Sequence, residues 1–257
     1  MLKIISAILL LSIPVFSQDS LSIDLSEIRV SANLNSSEIN KTARNVSIIT
    51  AKEIQESPVK TIDGILQFAL NVDVRSRSPF GVQADVSIRG GHFDQTLIMI
   101  DGVKMNDPQT GHHSMNIPVP LEQIERIEVL QGGASRVFGP SAFSGVINII
   151  TKTLATDVAS IGDGVGQFGL HKLDASFGLK RKKSRTFLAV SKIQSDGYAL
   201  NTAFDRLTAY AKSSLEQKNG FLSIQGGWMS NAFGASNFYH PKFFEQYEET
   251  NSKFLSV

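Results

Sequence analysis

The side chains with the most obvious chemistry are His112-His113, with Asp107 close by. Imidazole and carboxylate are zinc ligands, but adjacent residues on an extended segment point to opposite faces. No third ligand stands at a helpful spacing, so no resident metal is expected. Asp196 and Asp205 are two scattered carboxylates, too few for the roughly 6–8 oxygens that calcium takes. Serine, histidine and aspartate occur without a nucleophile elbow, and no glycine-rich loop fits a phosphate cradle. The chain is therefore not expected to be an enzyme or to need a cofactor. It has no cysteine, which removes thiolate sites and disulfides and suits an exported protein. A net charge of +1 gives no reason to expect nucleic acid.

The elements that position these residues are legible in order. Lys3 and the apolar run from Ile4 to Val15, followed by Val15-Phe16-Ser17, read as a secretory signal peptide over 1–17. The run is well short of the ~20 residues needed to span a bilayer. Residues 18–44 are polar, with one alternating stretch in which Ile28 and Val30 share a face opposite Glu27 and Arg29. Two readings stand here: a strand that adds to a partner's sheet edge, or a disordered linker.

Residues 45–153 read as a compact α+β domain. Thr50 and Glu53 have capping-box spacing for a helix ending before Pro58, and a second helix is predicted from Thr61 to Ala69. Short strands are predicted at Val46 to Thr50, Val72 to Arg75, Val86 to Ile88, Leu97 to Ile100, Ile127 to Leu130 and Val146 to Thr151. Asp101-Gly102 is a tight-turn signal. Over 154–257 the pattern becomes strict alternation in segments of about ten residues, with short turns and longer loops in turn. Leu173, Ala175, Phe177 and Leu179 form one apolar phase, and Leu207, Ala209 and Ala211 another. About five strands are expected, with a sixth starting near Ser252 and an aromatic-rich loop from Asn231 to Asn251. A membrane barrel and a soluble β-sandwich both produce such a pattern.

The stretch Thr61 to Lys152 resembles the plug domain of TonB-dependent outer-membrane receptors. The blocks that carry the resemblance are Val86-Ser87-Ile88-Arg89-Gly90-Gly91, then Leu97 to Val103, Ile124 to Gly132 and Gly139 to Lys152, in that order. Ser195-Asp196-Gly197-Tyr198 and Phe233 to Tyr239 are similar to the vitamin B12 receptor subgroup.

The resemblance implies an α+β plug followed by an incomplete antiparallel transmembrane β-barrel, about five strands of an expected 22 or so. It implies that the segment Asp24, Leu25, Ser26, Glu27, Ile28, Arg29 and Val30 is a TonB box that pairs with the periplasmic C-terminal domain of TonB. It makes Ser76 to Ala84 and Asn106 to Asn116 the apex loops. Their Arg77, Phe80, Asn106, Gln109, His112, His113 and Asn116 are then expected to contact ligand, a cobalamin or other corrinoid, or a ferric siderophore. Arg89 is expected to lock plug to barrel through wall carboxylates, with Gln131 standing where a second cation is often found. The implied place is the outer membrane, in contact with its lipid, and the implied activity is TonB-dependent import, with a ferric siderophore receptor or a passive adhesin as alternatives. Only about a hundred residues follow Lys152, so the chain alone is expected to be a fragment that cannot transport.

Overall fold

A computed structural model describes residues 45–257 except 106, 108, 219, 239–241 and 243–244, together with the backbone of 29–30 and 37–38. The expected signal peptide, and Asp24 to Ile28 of the expected TonB box, lie outside the described residues. β1 (Arg29–Val30) pairs antiparallel with β2 (Ser37–Glu38), so the end of the alternating segment pairs here with its own chain.

β3 (Val46–Thr50) runs straight into α1 (Ala51–Glu56). The Thr50 hydroxyl accepts from the Glu53 amide at 3.4 Å, and the Glu53 carboxylate accepts from the Thr50 amide at 2.6 Å. This is the capping box read from the sequence. α2 (Ile62–Leu66) is shorter than the helix expected to Ala69. Phe68 and Ala69 donate three residues back, to Ile65 and Leu66, and Asn71 then takes φ 60°. The last turn tightens and the chain leaves the helix.

β4 (Val72–Ser76) and β5 (Ala84–Ile88) form a separate hairpin. β6 (Thr96–Ile100), β7 (Val103–Lys104), β8 (Ile124–Gln131) and β9 (Gly145–Thr151) complete a five-stranded sheet of order β3-β8-β9-β6-β7, and α3 (Ser135–Phe138) precedes β9. β6 and β9 are parallel and the other neighbours antiparallel. Asp101 and Gly102 turn β6 into β7 with φ 48° and 83°, the left-handed pair that a two-residue hairpin of type I′ demands. Ile98, Ile100, Ile127, Val129, Ile147 and Ile149 face one core with Ile65, Leu66 and Ile88. Leu97, Met99, Leu130 and Val146 face a second core with Ala134 and Ala142. Burial on both faces is why β6 and β9 read as near-continuous apolar runs, broken in β9 by the buried Asn148.

The rest of the chain is an open antiparallel wall of six strands in sequence order. They are β10 (Val158–Val165), β11 (His171–Lys180), β12 (Ser184–Ser195), β13 (Phe204–Gln217), β14 (Gly220–Gly234) and β15 (Tyr247–Ser256). Its period-two alternation separates two faces. Thr208, Tyr210, Met229, Asn231 and Phe233 are buried against the plug side, while Leu188, Val190, Ile224 and Trp228 are exposed outward. A β-sandwich would cover that outer face with a second sheet, and none occurs among the described residues.

One strand boundary needs correction. The wall has the five strands and the sixth that were expected, but the sixth starts at Tyr247 rather than near Ser252, and β14 and β15 consume much of the expected Asn231 to Asn251 loop, leaving 235–246 between them. Tyr247 to Ser252 is polar on both phases, so hydrophobic periodicity could not reveal the start of β15.

Candidate ligand-facing loops and the plug–wall contacts

The first apex loop is held to the wall by its backbone. The Arg206 guanidinium, on the inward phase of β13, donates to the carbonyls of Phe80, at 3.1 Å, and Gly81. Asn231 Nδ2, on β14, donates to the Val82 carbonyl at 3.0 Å. The ring of Phe80 packs on Phe204 with centroids 5.8 Å apart, and Val82 is buried with Phe204, Phe233 and Phe238. Phe80 and Gly81 have φ 61° and 64°, and a Cβ on Gly81 would lie 2.5 Å from the buried Asp63 carboxylate. The tip is therefore closed by two left-handed residues, with Phe80 still 37% exposed.

Arg77 and His112, expected on separate apex loops, meet through a residue absent from the expected site. Asp85 Oδ2 pairs with Arg77 Nη2 at 2.9 Å, and Asp85 Oδ1 lies 2.7 Å from His112 Nδ1. With its side chain 8% exposed, Asp85 is a shielded hub between two cation-capable groups. Arg77 also donates to the Phe238 carbonyl. The His112 ring packs against Phe93 with centroids 4.4 Å apart, and Phe93 against His92 at 4.1 Å, both pairs tilted. Asp107 accepts from the amides of Gln109 and Thr110 at 2.7 and 3.1 Å, a local turn that orders the second loop. Gln109 is exposed and His113 half-buried. Asn116 donates to the Thr250 hydroxyl on β15 at 3.2 Å, so it is turned to the wall. Asn106 lies outside the described residues.

A second set of contacts ties the plug to the wall at the other end of β13. Lys212 Nζ donates to Asp101 Oδ2 at 2.9 Å and to Thr151 Oγ1 at 2.7 Å. Asp101 also accepts from the Thr151 amide and hydroxyl, at 2.9 and 2.6 Å. Tyr210 adds a bond to Thr151 at 3.2 Å and another to Gln225 at 2.8 Å. Here the cation comes from the wall and the carboxylate from the plug, the reverse of the polarity expected of Arg89. Arg89 is exposed with φ 54°, and no ion pair of Arg89 occurs among the described residues.

Gln131 is no surface remnant of a second lock. It is buried, accepting from Asn71 Nδ2 at 2.9 Å and Asn45 Nδ2 at 3.4 Å, and donating to the Leu70 carbonyl at 3.0 Å and Ser47 Oγ at 3.3 Å. Its neutral amide joins the start of β3 to the chain between α2 and β4.

Lys212→Met is expected to weaken the plug–wall contact by about 1–3 kcal/mol, the usual cost of leaving buried polar partners short of a bond. Amide hydrogen exchange around 101–104 and 148–151 should then quicken, with the β11–β12 ladder unchanged. Exchange identical to that of the unaltered chain would show that Lys212 does not hold the plug to the wall.

A two-sided α+β domain bound at its loop tips to one face of an antiparallel wall defines the class. The chain belongs to the TonB-dependent receptors: residues 38–146 match the family described as TonB-dependent Receptor Plug Domain. The chain is 29% identical over 151 residues to the vitamin B12 transporter BtuB of Vibrio cholerae, covering 58% of this chain and 24% of that one. It is 32% identical over 177 residues to BtuB of Photobacterium profundum, covering 68% and 28%. The chain thus spans about a quarter of the length of these curated relatives. Among solved structures, FpvA of Pseudomonas aeruginosa bound to heterologous pyoverdines superposes with a TM-score of 0.71 at 12% identity, covering 87% of this chain and 32% of that one. The siderophore receptor PirA of the same species gives 0.57 at 22%, covering 75% and 35%. These structures show the shared fold.

Proposed function

We propose that this chain is the N-terminal part of a receptor that imports a scarce, bulky nutrient across the outer membrane, with the energy arriving through TonB. In this reading 1–17 is a signal peptide, 18–44 carries the TonB box, 45–153 is the plug and 154–257 begins the barrel. The outward apolar face of the wall meets membrane lipid. Ligand binds outside, on the two apex loops, where Phe80, Gln109 and His113 are the accessible groups. Arg77, His112 and Asn116 shape the surface from below, because their polar atoms are engaged with Asp85 and Thr250.

The observation that carries this reading is the fixing of an apex backbone, through Arg206 and Asn231, to a wall whose other face is apolar. Binding residues on a rigid scaffold keep their geometry, and a lumen-side clamp has a purpose where ligand arrival must be sensed by the plug. A passive adhesin or binding module would not need the alternating segment Asp24 to Val30.

For ligand class the apex electrostatics favour a corrinoid. Asp85 is neutralised by Arg77 beside His112, and the remaining accessible groups are an aromatic ring, an amide and an imidazole. Such a surface suits a large, mostly neutral ligand better than a highly anionic one. The curated relatives named above are vitamin B12 transporters. The second reading, a ferric siderophore receptor, is favoured by the solved neighbours, which are siderophore receptors at low identity.

Titration of the complete receptor in detergent with cobalamin and with a panel of ferric siderophores separates the two. Tight cobalamin binding is the expected result. Siderophore binding without cobalamin binding would reverse the ligand assignment and leave the receptor reading intact.

A further inference from the structure

The turn between β11 and β12 reads Lys180-Arg181-Lys182-Lys183-Ser184-Arg185, and Lys218 stands in the next turn on the same edge of the wall. The two turns are joined, because the Glu216 amide donates to the Lys183 carbonyl at 2.7 Å. Two carboxylates sit among these six cations: Asp157, 3.5 Å from Arg181, and Glu216, 2.7 Å from Arg185. Lys180 is turned to the Ala155 carbonyl at 2.8 Å. Lys182, Lys183 and Lys218 are exposed, and no ion pair of these three occurs among the described residues. This one edge has an excess of positive charge larger than the +1 of the whole chain.

The apolar face begins directly beside it. Phe221 and Leu222, just past the second turn, are 77% and 48% exposed. Two shallow grooves cross the outward face. One, of about 530 Å³, has Ala159 and Ala175 on its floor beside the paired Phe177 and Leu188. The other, of about 740 Å³, has Ala209 and Ala211 between Leu188 and Trp228. The Phe177–Leu188 pair is three ladder steps from the Lys180–Arg185 pair, or about 10 Å at strand rise. That is within the reach of one lipid, from phosphate to upper acyl chain.

We propose that the two basic turns and the grooves beside them form a site for anionic phospholipid, with the headgroup phosphate on Lys182, Lys183 and Lys218 and the acyl chains along the alanine-floored grooves. The inference rests on the membrane-wall reading above. Short turns lie on the periplasmic side of such barrels, so the lipid belongs to the inner leaflet. Each lysine near an anionic surface strengthens association about fivefold, so the three act together as an anchor that fixes the height of the wall in the bilayer.

The test uses the full chain, refolded beside vesicles of phosphatidylcholine alone or with added phosphatidylglycerol. Trp228 is the one tryptophan and lies on the outward face, so its emission reports insertion. The expected result is a blue shift on both vesicles, with markedly tighter association on phosphatidylglycerol that high salt removes. The Lys182→Gln/Lys183→Gln/Lys218→Gln chain should still show the blue shift on phosphatidylcholine and lose the preference, by up to about a hundredfold. Lys52→Gln/Lys60→Gln, on the plug, should keep it. Equal association on both vesicles, or a preference surviving in the triple variant, overturns the site while leaving the wall in the membrane. Absence of a blue shift on either vesicle overturns the membrane-wall reading and the site with it.

Discussion

A Gly145→Val chain is expected to have a markedly destabilised plug. Gly145 opens β9 and sits between two strands, opposite Thr96 on β6 and Gln131 on β8. A Cβ there would lie 2.5 Å from the Leu130 carbonyl and 2.7 Å from Ile88 Cδ1. The carbonyl belongs to the paired backbone of β8 and cannot swing aside as a side chain would. Making room means parting β8 from β9 where the strand begins, beside Ile88 of one core and Leu130 of the other. Overpacking of this kind typically costs about 1–3 kcal/mol, and occasionally more, against a total that for a single domain is about 5–15 kcal/mol. Limited proteolysis of the full chain should then cut freely within 45–151. Gly133→Ala is the matched control, since its nearest neighbour to a new Cβ is the Phe143 carbonyl at 3.7 Å. Equal protease resistance in the two variants would mean that β9 is not wedged as described.

What the sequence revealed and what it hid divide along the range of the interactions. The capping box of Thr50 and Glu53 and the left-handed turn at Asp101-Gly102 are local, so a few residues specify them. Wall strands with a clean apolar phase, such as β11, were legible for the same reason. The end of α2 was not, because Asn71 stops it through a backbone conformation rather than through hydrophobic spacing.

The site was legible in part. Arg77 and His112 were visible as polar groups in expected loops. Their meeting through Asp85 was not, since Asp85 lies in β5 and 27 residues separate it from His112. Arg206 and Lys212 could be seen only as the polar phase of β13, a pattern that any lumen-facing strand produces. Arg206 and Asn231 act on the carbonyls of Phe80, Gly81 and Val82, and a backbone acceptor has no signature in residue type. Gln131 shows the opposite hazard. Compared with a familiar pattern it looked like a missing cation, whereas its four partners make it a neutral junction inside the plug.

Ile28→Pro is expected to abolish energised import by the complete receptor while leaving ligand binding at the apex loops unchanged. The motivation is the alternation of Glu27-Ile28-Arg29-Val30 in an otherwise polar segment, with the backbone of Arg29 and Val30 already extended and paired to Ser37 and Glu38. A segment that adds as a strand to a partner's sheet is held chiefly by main-chain hydrogen bonds, with alternate side chains setting the register. Proline removes the amide donor at its own position and obstructs pairing around it, so the defect spreads over several ladder bonds, each worth about 1 kcal/mol. Ile28→Val keeps the donor, the β-branch and the apolar phase, and should import nearly as well as the unaltered receptor. Two measurements made together check the idea. Association of the TonB C-terminal domain should fall by at least about a hundredfold in Ile28→Pro, and uptake should fall to background with the same affinity for ligand at the surface. If uptake by the proline variant stays undiminished, strand addition through Asp24 to Val30 is not how the force enters. If ligand affinity falls as well, the segment has a structural task in the plug beside strand addition.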